Sequence, residues 1–169
     1  MIKGLHHNAY RCRDSEQTRR FYEDFLGLPL SCALPIEETK SGRKTHALHT
    51  FYRLGDGSYL AFFEVPDMPF AFPEQHDFDL HIALEVDRPT LDSMLAKGKD
   101  AGIETRGVSH HGFIDSIYFR DPNGYVIELT CKREGHDVAL DPARNEAHAK
   151  FERWQAEKRR TSSTADVGS

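Results

Sequence analysis

Three side chains that can bind a metal ion or move a proton occur in segments with the alternation of β-strands. They are His7, His81 and Glu128. In its segment each lies on the face opposite the apolar neighbours, as His81 does relative to Ile82 and Leu84. Taken alone, each is equally compatible with a hydrogen-bonded polar residue. Their role therefore depends on whether the fold brings the three together.

The elements that must position these residues occur twice along the chain. Alternation, capping residues and turn residues predict strand, helix and three strands in each half. The first half has a strand at 5–12, a helix at 15–25, and strands at 28–34, 45–53 and 59–65, with a polar loop over 35–43; the second has a strand at 81–86, a helix at 89–101, and strands at 103–108, 116–120 and 125–132.

The two halves also have nearly the same spacing. His7 to Gly27 is 20 residues and His81 to Gly102 is 21. This duplication predicts an α+β fold of two βαβββ modules, at about 1–66 and 79–133, in one domain spanning 1–133. Their mixed sheet would form a cup with polar faces inward, and the cup is the expected site.

A C-terminal extension over 134–169 follows the predicted domain. We expect an amphipathic helix at about 142–159 and a disordered tail from 161 to 169. Phe151 and Trp154 are three positions apart on that helix. They would pack either on the domain or on a second subunit.

Composition limits the class of protein. The formal net charge is −5 and the pI is near 6.0, which argues against nucleic acid as a partner. The N-terminal residues do not resemble a signal peptide, and the sequence offers no segment for a membrane span, so a cytoplasmic protein is expected. The cysteines, Cys12, Cys32 and Cys131, lack metal-site spacing and are predicted to be buried apolar residues.

Six short segments follow one another in a characteristic order: His7–Asp14, Phe21–Tyr22, Leu26–Gly27, His81–Val86, Asp121–Gly124 and Ile127–Leu129. In that order, over residues 1 to about 132, they resemble the vicinal oxygen chelate superfamily, which includes glyoxalase I, methylmalonyl-CoA epimerase, extradiol dioxygenases, and fosfomycin and bleomycin resistance proteins. This resemblance implies that His7, His81 and Glu128 are metal ligands. Two imidazoles and one carboxylate are typical of non-haem Fe(II), with Mn, Zn or Ni as alternatives.

A fourth ligand occurs on the fourth strand of glyoxalase-like members. Counting from the hairpin glycine places that position on Phe62, whereas a slipped register would deliver Glu64, as a ligand or as a base. With Phe62 there, three protein ligands remain, as in the dioxygenases.

Extradiol dioxygenases supply the other expected site residues. They carry a tyrosine ten residues before the ligand glutamate, which corresponds to Tyr118 here. The preceding His110-His111 pair is a candidate acid or base. Ser58 stands where two-domain members have an acid/base histidine, and either His46 or His49 is a possible substitute.

The leading functional hypothesis is an Fe(II)-dependent extradiol dioxygenase that acts on a small catechol-like or hydroquinone-like aromatic, and we expect it to be a homodimer. A wall for the ring is available in five phenylalanines that are equally compatible with a core: Phe62, Phe63, Phe70, Phe72 and Phe113. The alternatives are a glyoxalase- or epimerase-type lyase or isomerase, and a bleomycin-resistance-like binding protein.

Overall fold

Two four-stranded mixed sheets are seen in the computed structural model, which describes residues 1–73, 75–76 and 78–165. The first sheet contains β1 (Tyr10–Cys12), β2 (Leu30–Glu38), β3 (Lys44–Arg53) and β4 (Tyr59–Glu64); the second contains β5 (His81–Glu85), β6 (Thr105–His110), β7 (Ile114–Arg120) and β8 (Val126–Lys132). The strand orders are β1-β4-β3-β2 and β5-β8-β7-β6. In each sheet one pair is parallel: β1 with β4 in the first, and β5 with β8 in the second. This equivalence confirms the α+β fold of two similar modules.

Each sheet is covered on one side by a helix, and an aspartate caps the N-terminus of each helix. The first helix, α1 (Ser15–Arg19), starts after Asp14, whose carboxylate accepts the Gln17 N–H at 2.8 Å. It continues as a π-helical stretch, Arg20–Phe25, where an α-helix was expected. Asp87 likewise caps α2 (Arg88–Asp100) by accepting the Thr90 N–H at 2.9 Å.

The core lies between these helices and the sheets. Its largest fully buried side chains come from both the helical segments and the strands: Tyr22, Tyr52, Phe62, Phe119, Leu60, Leu91, Ile117 and Ile127. Cys12 and Cys131 are buried as predicted, whereas Cys32 is exposed on β2, so the prediction was wrong for that cysteine. We call the side of each sheet that faces away from α1 or α2 its open face.

The turn between β7 and β8 connects the two modules. Asp121 accepts the Tyr22 hydroxyl at 2.9 Å, and the Asn123 side chain accepts the Arg13 N–H at 2.8 Å. Tyr125 donates its hydroxyl to the Arg11 carbonyl at 2.9 Å. Through these contacts the turn fixes the second sheet against the first module.

Beyond β8 the chain forms α3 (His136–Leu140) and α4 (Ala147–Ala165). The predicted helix was therefore right in kind, but residues 161–165 are helical where a disordered tail was expected, and 166–169 lie outside the described residues. Several strand bounds also differ: β1 spans only Tyr10–Cys12 where a strand at 5–12 was expected, and β2 runs on to Glu38 and β6 to His110, both expected to be loop. None of the described helices has the length and apolarity needed to cross a membrane.

Candidate metal centre

His81 and Glu128 meet on the open face of the second sheet. Ala83 pairs with Glu128 in the parallel β5–β8 ladder, so His81 and Glu128 point to the same side. His81 Nε2 lies 3.3 Å from Glu128 Oε2. The Glu128 side chain is only 6% exposed and that of His81 is 42% exposed. The pair thus combines a buried carboxylate with an imidazole that solvent can reach.

This pair fits a divalent metal. Nitrogen and oxygen ligands bind such ions at about 2.0–2.2 Å, and two atoms 3.3 Å apart can both contact one ion at that distance. A buried carboxylate also favours a cation beside it, because an uncompensated charge is costly to bury. His81 and Glu128 are therefore able to supply two ligands of a metal centre.

Tyr118 and His111 extend the pair into a chain of polar contacts. The Tyr118 hydroxyl donates to Glu128 Oε1 at 3.4 Å, and His111 Nε2 lies 2.8 Å from the same hydroxyl. Burial, and then the negative charge of Glu128, raise the pKa of Tyr118. The phenol therefore stays protonated and acts as a hydrogen-bond donor at neutral pH. Arg106, on β6, places its guanidinium carbon 5.4 Å from the centre of the Tyr118 ring.

His110 lies away from this chain. Its Nδ1 is 2.7 Å from Asp115 Oδ1, and Asp115 also pairs with Arg88, at the start of α2, at 2.9 Å. Asp115 is buried on the helix side of the sheet. Neighbouring residues on a strand point to opposite sides, so only His111 of the predicted acid/base pair reaches Tyr118. The structure places His110 beside Asp115 and apart from Tyr118.

His7 lies on the open face of the first sheet. It forms an isolated parallel bridge with Tyr59. Its ring is 6.1 Å from that of His49 and 5.4 Å from that of Phe51. His6 is exposed, and its Nδ1 is 2.7 Å from that of His7. Across residues 1–73, 75–76 and 78–165, no three His, Cys, Asp or Glu side chains converge as a metal site. A single chain thus brings together His81 and Glu128, without His7.

On the fourth strand, neither Phe62, which was expected at the fourth-ligand position, nor Glu64 lies on the open face. Phe62 points into the core, where its ring is 4.6 Å from that of Tyr22. Glu64 is on the same side and accepts both the N–H (2.9 Å) and the hydroxyl of Ser15 at the start of α1. Residue 63 therefore faces the open side, and Phe63 stacks on His49 with ring centres 3.6 Å apart.

The open face of the first sheet is consequently aromatic. Of the five phenylalanines considered for a substrate wall, Phe63 alone lies beside His49. The ring of Phe51 also lies there, with its centre 4.3 Å from that of His49. The others lie elsewhere: Phe62 in the core, Phe70 under Arg13, Phe72 against Tyr125 and Phe113 beside His136.

Sequence reasoning missed Phe51 and Arg106. It also did not decide whether His46 or His49 faces the site. Alternation puts Phe51 on the same side of β3 as His49, but which side that is, and the position of Arg106 beside Tyr118, depend on the register between strands. His49 is 9% exposed, and its Nε2 finds no hydrogen-bond partner among the described residues. Ser58, by contrast, donates its hydroxyl to Asp56 in the turn before β4, at 2.6 Å.

Comparison with known proteins gives one family match over most of the chain. Residues 4–129 match the model of the Glyoxalase/Bleomycin resistance protein/Dioxygenase superfamily. A curated relative is the metallothiol transferase FosB of Shouchella clausii, 27% identical over 135 residues, which covers 76% of this chain and 80% of that protein.

Two solved structures share the fold. One is a glyoxylase/bleomycin resistance protein/dioxygenase domain from Frankia, with a TM-score of 0.63, 18% identity, and coverage of 79% of this chain and 100% of that one. The other is the fosfomycin resistance protein FosX of Listeria monocytogenes with Mn(II) and sulfate, with a TM-score of 0.61, 20% identity, and coverage of 82% and 99%.

Proposed function

Because the chain belongs to the Glyoxalase/Bleomycin resistance protein/Dioxygenase superfamily, we propose that it is an enzyme that uses a divalent metal to bind a small molecule through its oxygen atoms. The observation that carries this proposal is the His81–Glu128 pair, with Nε2 and Oε2 3.3 Å apart on one strand ladder. A bound metal would polarise the substrate oxygens as a Lewis acid. For the identity of the metal we follow the relatives, because the Listeria FosX structure contains Mn(II). We therefore favour Mn(II) over the Fe(II) that the dioxygenase hypothesis predicts.

We assign the third ligand to His7, supplied by a second copy of the chain. His7 lies on the first sheet, and the described part of one chain contains no group of three ligands. A two-fold dimer would place the open face of the first sheet in one chain opposite the open face of the second sheet in the other. Each site would then contain His81 and Glu128 together with His7 of the partner subunit.

The reaction we favour is addition of a nucleophile to a small oxygen-rich anion. The relatives are named as a metallothiol transferase and a fosfomycin resistance protein, and both names describe enzymes of small molecules. For an epoxide, a new bond forms from sulfur or water oxygen to carbon, the carbon–oxygen bond of the ring breaks, and the nucleophile loses a proton while the freed oxygen gains one. Arg106 supplies positive charge for an anionic group, and Tyr118 donates a hydrogen bond where negative charge develops on oxygen.

Extradiol ring cleavage is the second candidate, and the aromatic surface of the first sheet favours it. On the open face beside His7, the ring of His49 stacks on that of Phe63 with centres 3.6 Å apart, and the tilted ring of Phe51 lies 4.3 Å from that of His49. Such a surface suits an aromatic substrate, which would pack against it. The polar chain of Tyr118 and His111 would then hold the substrate hydroxyls.

Metal binding is the first test. Titration of chelator-treated protein with Mn(II), Fe(II), Zn(II) and Ni(II) in a calorimeter should give tight binding for at least one ion. His81→Ala and Glu128→Gln should each weaken it by more than about a hundredfold. His110→Gln is the matched control, because His110 lies on the other side of the strand and should leave affinity unchanged. Equal affinities in all four proteins would refute the assignment.

Activity then separates the two reactions. Protein loaded with the preferred metal is incubated with fosfomycin in the presence and absence of small thiols, and the products are followed by mass spectrometry. In parallel, Fe(II)-loaded protein is given a panel of catechols and hydroquinones while oxygen uptake is recorded. Adduct or diol formation without oxygen supports nucleophilic addition, whereas oxygen uptake with ring cleavage supports the second candidate instead.

A further inference from the structure

The C-terminal helix α4 carries apolar side chains that its own chain leaves uncovered. Phe151 is 62% exposed and Trp154 is 61% exposed, and they lie three positions apart on one side of α4. Within 147–160 only Gln155 and Ala156 are even half-buried. Helices in water depend on burial of an apolar side for most of their stability. A helix of 19 residues with this surface therefore requires a covering partner.

The charge of α4 indicates which partner suits it. The helix contains five Lys and Arg residues and two Glu residues, although the whole chain has a net charge of −5. The rest of the chain is consequently more acidic than the total. A basic helix and an acidic body attract each other, and complementary charge favours correct docking. Another copy of this same chain provides such a body.

A groove on the body has matching properties. It has a volume of about 800 Å³ and lies between the outer edge of β5 and the turn before β4. Its apolar lining consists of Leu5, Leu54, Leu60, Ile82, Leu84 and Val86. Because β5 is the terminal strand of its sheet, this edge has no neighbouring strand in the described chain.

The rim of the groove carries negative charge. Asp56 and Asp87 both line it, and hydrogen bonds from Ser58 and Thr90 hold the pKa of each carboxyl below its ordinary value. Both are therefore ionised at neutral pH. The cations of the rim already have partners, since Lys132 pairs with Glu85 at 3.0 Å and Arg88 pairs with Asp115 at 2.9 Å.

We propose that α4 is an arm that docks onto a second copy of this chain, placing Phe151 and Trp154 in the groove beside β5. In a two-fold dimer each chain gives one arm and receives one, so both exposed aromatic surfaces and both grooves are covered. The basic side of the arm meets the acidic rim. This interaction does not depend on which reaction the protein catalyses.

The only tryptophan of the chain is a reporter for this docking. Trp154 is exposed in a single chain and becomes buried in the docked dimer, so its emission should shift to shorter wavelength as protein concentration rises. Light scattering behind a sizing column should show the dimer appearing over the same concentration range. A dimer whose Trp154 emits as an exposed indole would overturn the proposal, and so would a monomer whose Trp154 is already buried.

Variants on the two sides of α4 provide the control. Phe151→Ser removes half of the aromatic surface and should raise the dimer dissociation constant about tenfold or more, because buried aromatic anchors dominate such interfaces. Ala149→Ser lies on the opposite side of the helix and should leave it unchanged. Circular dichroism of both proteins checks that the fold persists. Equal dissociation constants for the two variants would count against the arm.

Photocrosslinking identifies the acceptor. Unlabelled protein with p-benzoylphenylalanine in place of Phe151 is mixed with ¹⁵N-labelled native protein and irradiated. Mass spectrometry should find the arm joined to labelled peptides from 54–60 or 80–88. Links to unlabelled peptides of the same chain alone, or to labelled peptides outside the groove, would show that the proposal is wrong.

Discussion

Glu128 sets the electrostatics of the candidate metal centre. Its carboxylate is almost fully buried, and its neighbours are one imidazole and one phenol hydroxyl. The hydroxyl of Tyr118 is held protonated because burial and the charge of Glu128 raise its pKa. A site with this arrangement retains a hydrogen-bond donor beside the carboxylate proposed as a metal ligand over the neutral pH range.

We expect Tyr118→Phe to reduce turnover about a hundredfold or more. The substitution keeps the ring, and with it the Arg106 contact, but removes the hydrogen bond to a developing oxyanion, a contribution of about 2.7–4 kcal/mol in other enzymes. Metal content should change little, because the hydroxyl is 3.4 Å from Glu128 and therefore bonds it weakly. Steady-state kinetics and metal analysis of the same preparation test both statements. Full activity would exclude Tyr118 from the reaction.

Asp115 shows how a neighbouring histidine is used for structure. The hydrogen bond from His110, and after it the charges of Arg133 and Arg88, hold the pKa of Asp115 below its ordinary value. A carboxyl with a depressed folded pKa stabilises the fold above its unfolded pKa of about 4. That contribution is lost as pH falls through the lower, folded pKa.

Asp115→Asn should therefore flatten the acid side of the stability profile. The native protein should lose melting temperature more steeply than the variant as pH falls from about 6 to about 3. The variant should already be less stable at neutral pH. Asp92→Asn, which affects an exposed partner of Arg88, serves as the control and should retain the native profile. Parallel profiles for native protein and Asp115→Asn would contradict this account.

Among the elements, the β7–β8 turn does more than reverse the chain. Asp121 is buried, and burial raises the pKa of its carboxyl despite hydrogen bonds from Asn123, Tyr125 and Tyr22. The Tyr22 bond comes from the first module, 99 positions earlier in the chain. The two modules are thus joined by polar contacts between a turn and a helix as well as by apolar packing.

A comparison of two buried tyrosines measures how much the contact between Tyr22 and Asp121 stabilises the fold. Tyr22→Phe should lower the free energy of unfolding by about 1.5–3 kcal/mol, because it removes a buried hydrogen bond to the Asp121 carboxylate. Tyr52 is equally buried and its ring lies 5.5 Å from that of Tyr22, yet its hydroxyl has no hydrogen-bond partner among the described residues. Tyr52→Phe should therefore be neutral or slightly stabilising. Urea denaturation of the two variants decides, and equal losses would contradict the assigned role of the turn.

Local patterns were sufficient to predict the elements and one sheet of the site. Alternation placed His81, Glu128 and Tyr118 on a common side, because strands β5, β8 and β7 are neighbours and their registers leave little freedom. The period-two alternation also explains why the fourth-ligand position was wrongly placed on Phe62. A count that is wrong by one residue moves a side chain to the other side of the sheet, which is why Phe63, and not Phe62, lies on the open face.

At the scale of the whole molecule, the arrangement of the two sheets was not predictable from the sequence. The pairing within each module follows from short-range order, whereas the position of one module relative to the other depends on contacts such as Tyr22 with Asp121. The alternation of apolar and polar residues does not predict such contacts between modules. The sequence consequently predicted the three ligand candidates without deciding whether one chain or two would assemble them.

Mixing of two inactive variants tests the proposed division of each site between chains. His7→Ala lacks the ligand from the first sheet, and Glu128→Gln lacks one from the second, so neither homodimer has a complete site. In a mixed dimer, the Glu128→Gln chain provides an intact His7, and the His7→Ala chain provides an intact His81–Glu128 pair. Random exchange of equal amounts should restore about a quarter of the native metal-binding sites, because half of the dimers are mixed and each contains one intact site of two. Calorimetric titration of the exchanged mixture measures this fraction, with each variant alone as the control. Recovery of no sites, after native mass spectrometry has shown that mixed dimers form, would place all three ligands within one chain.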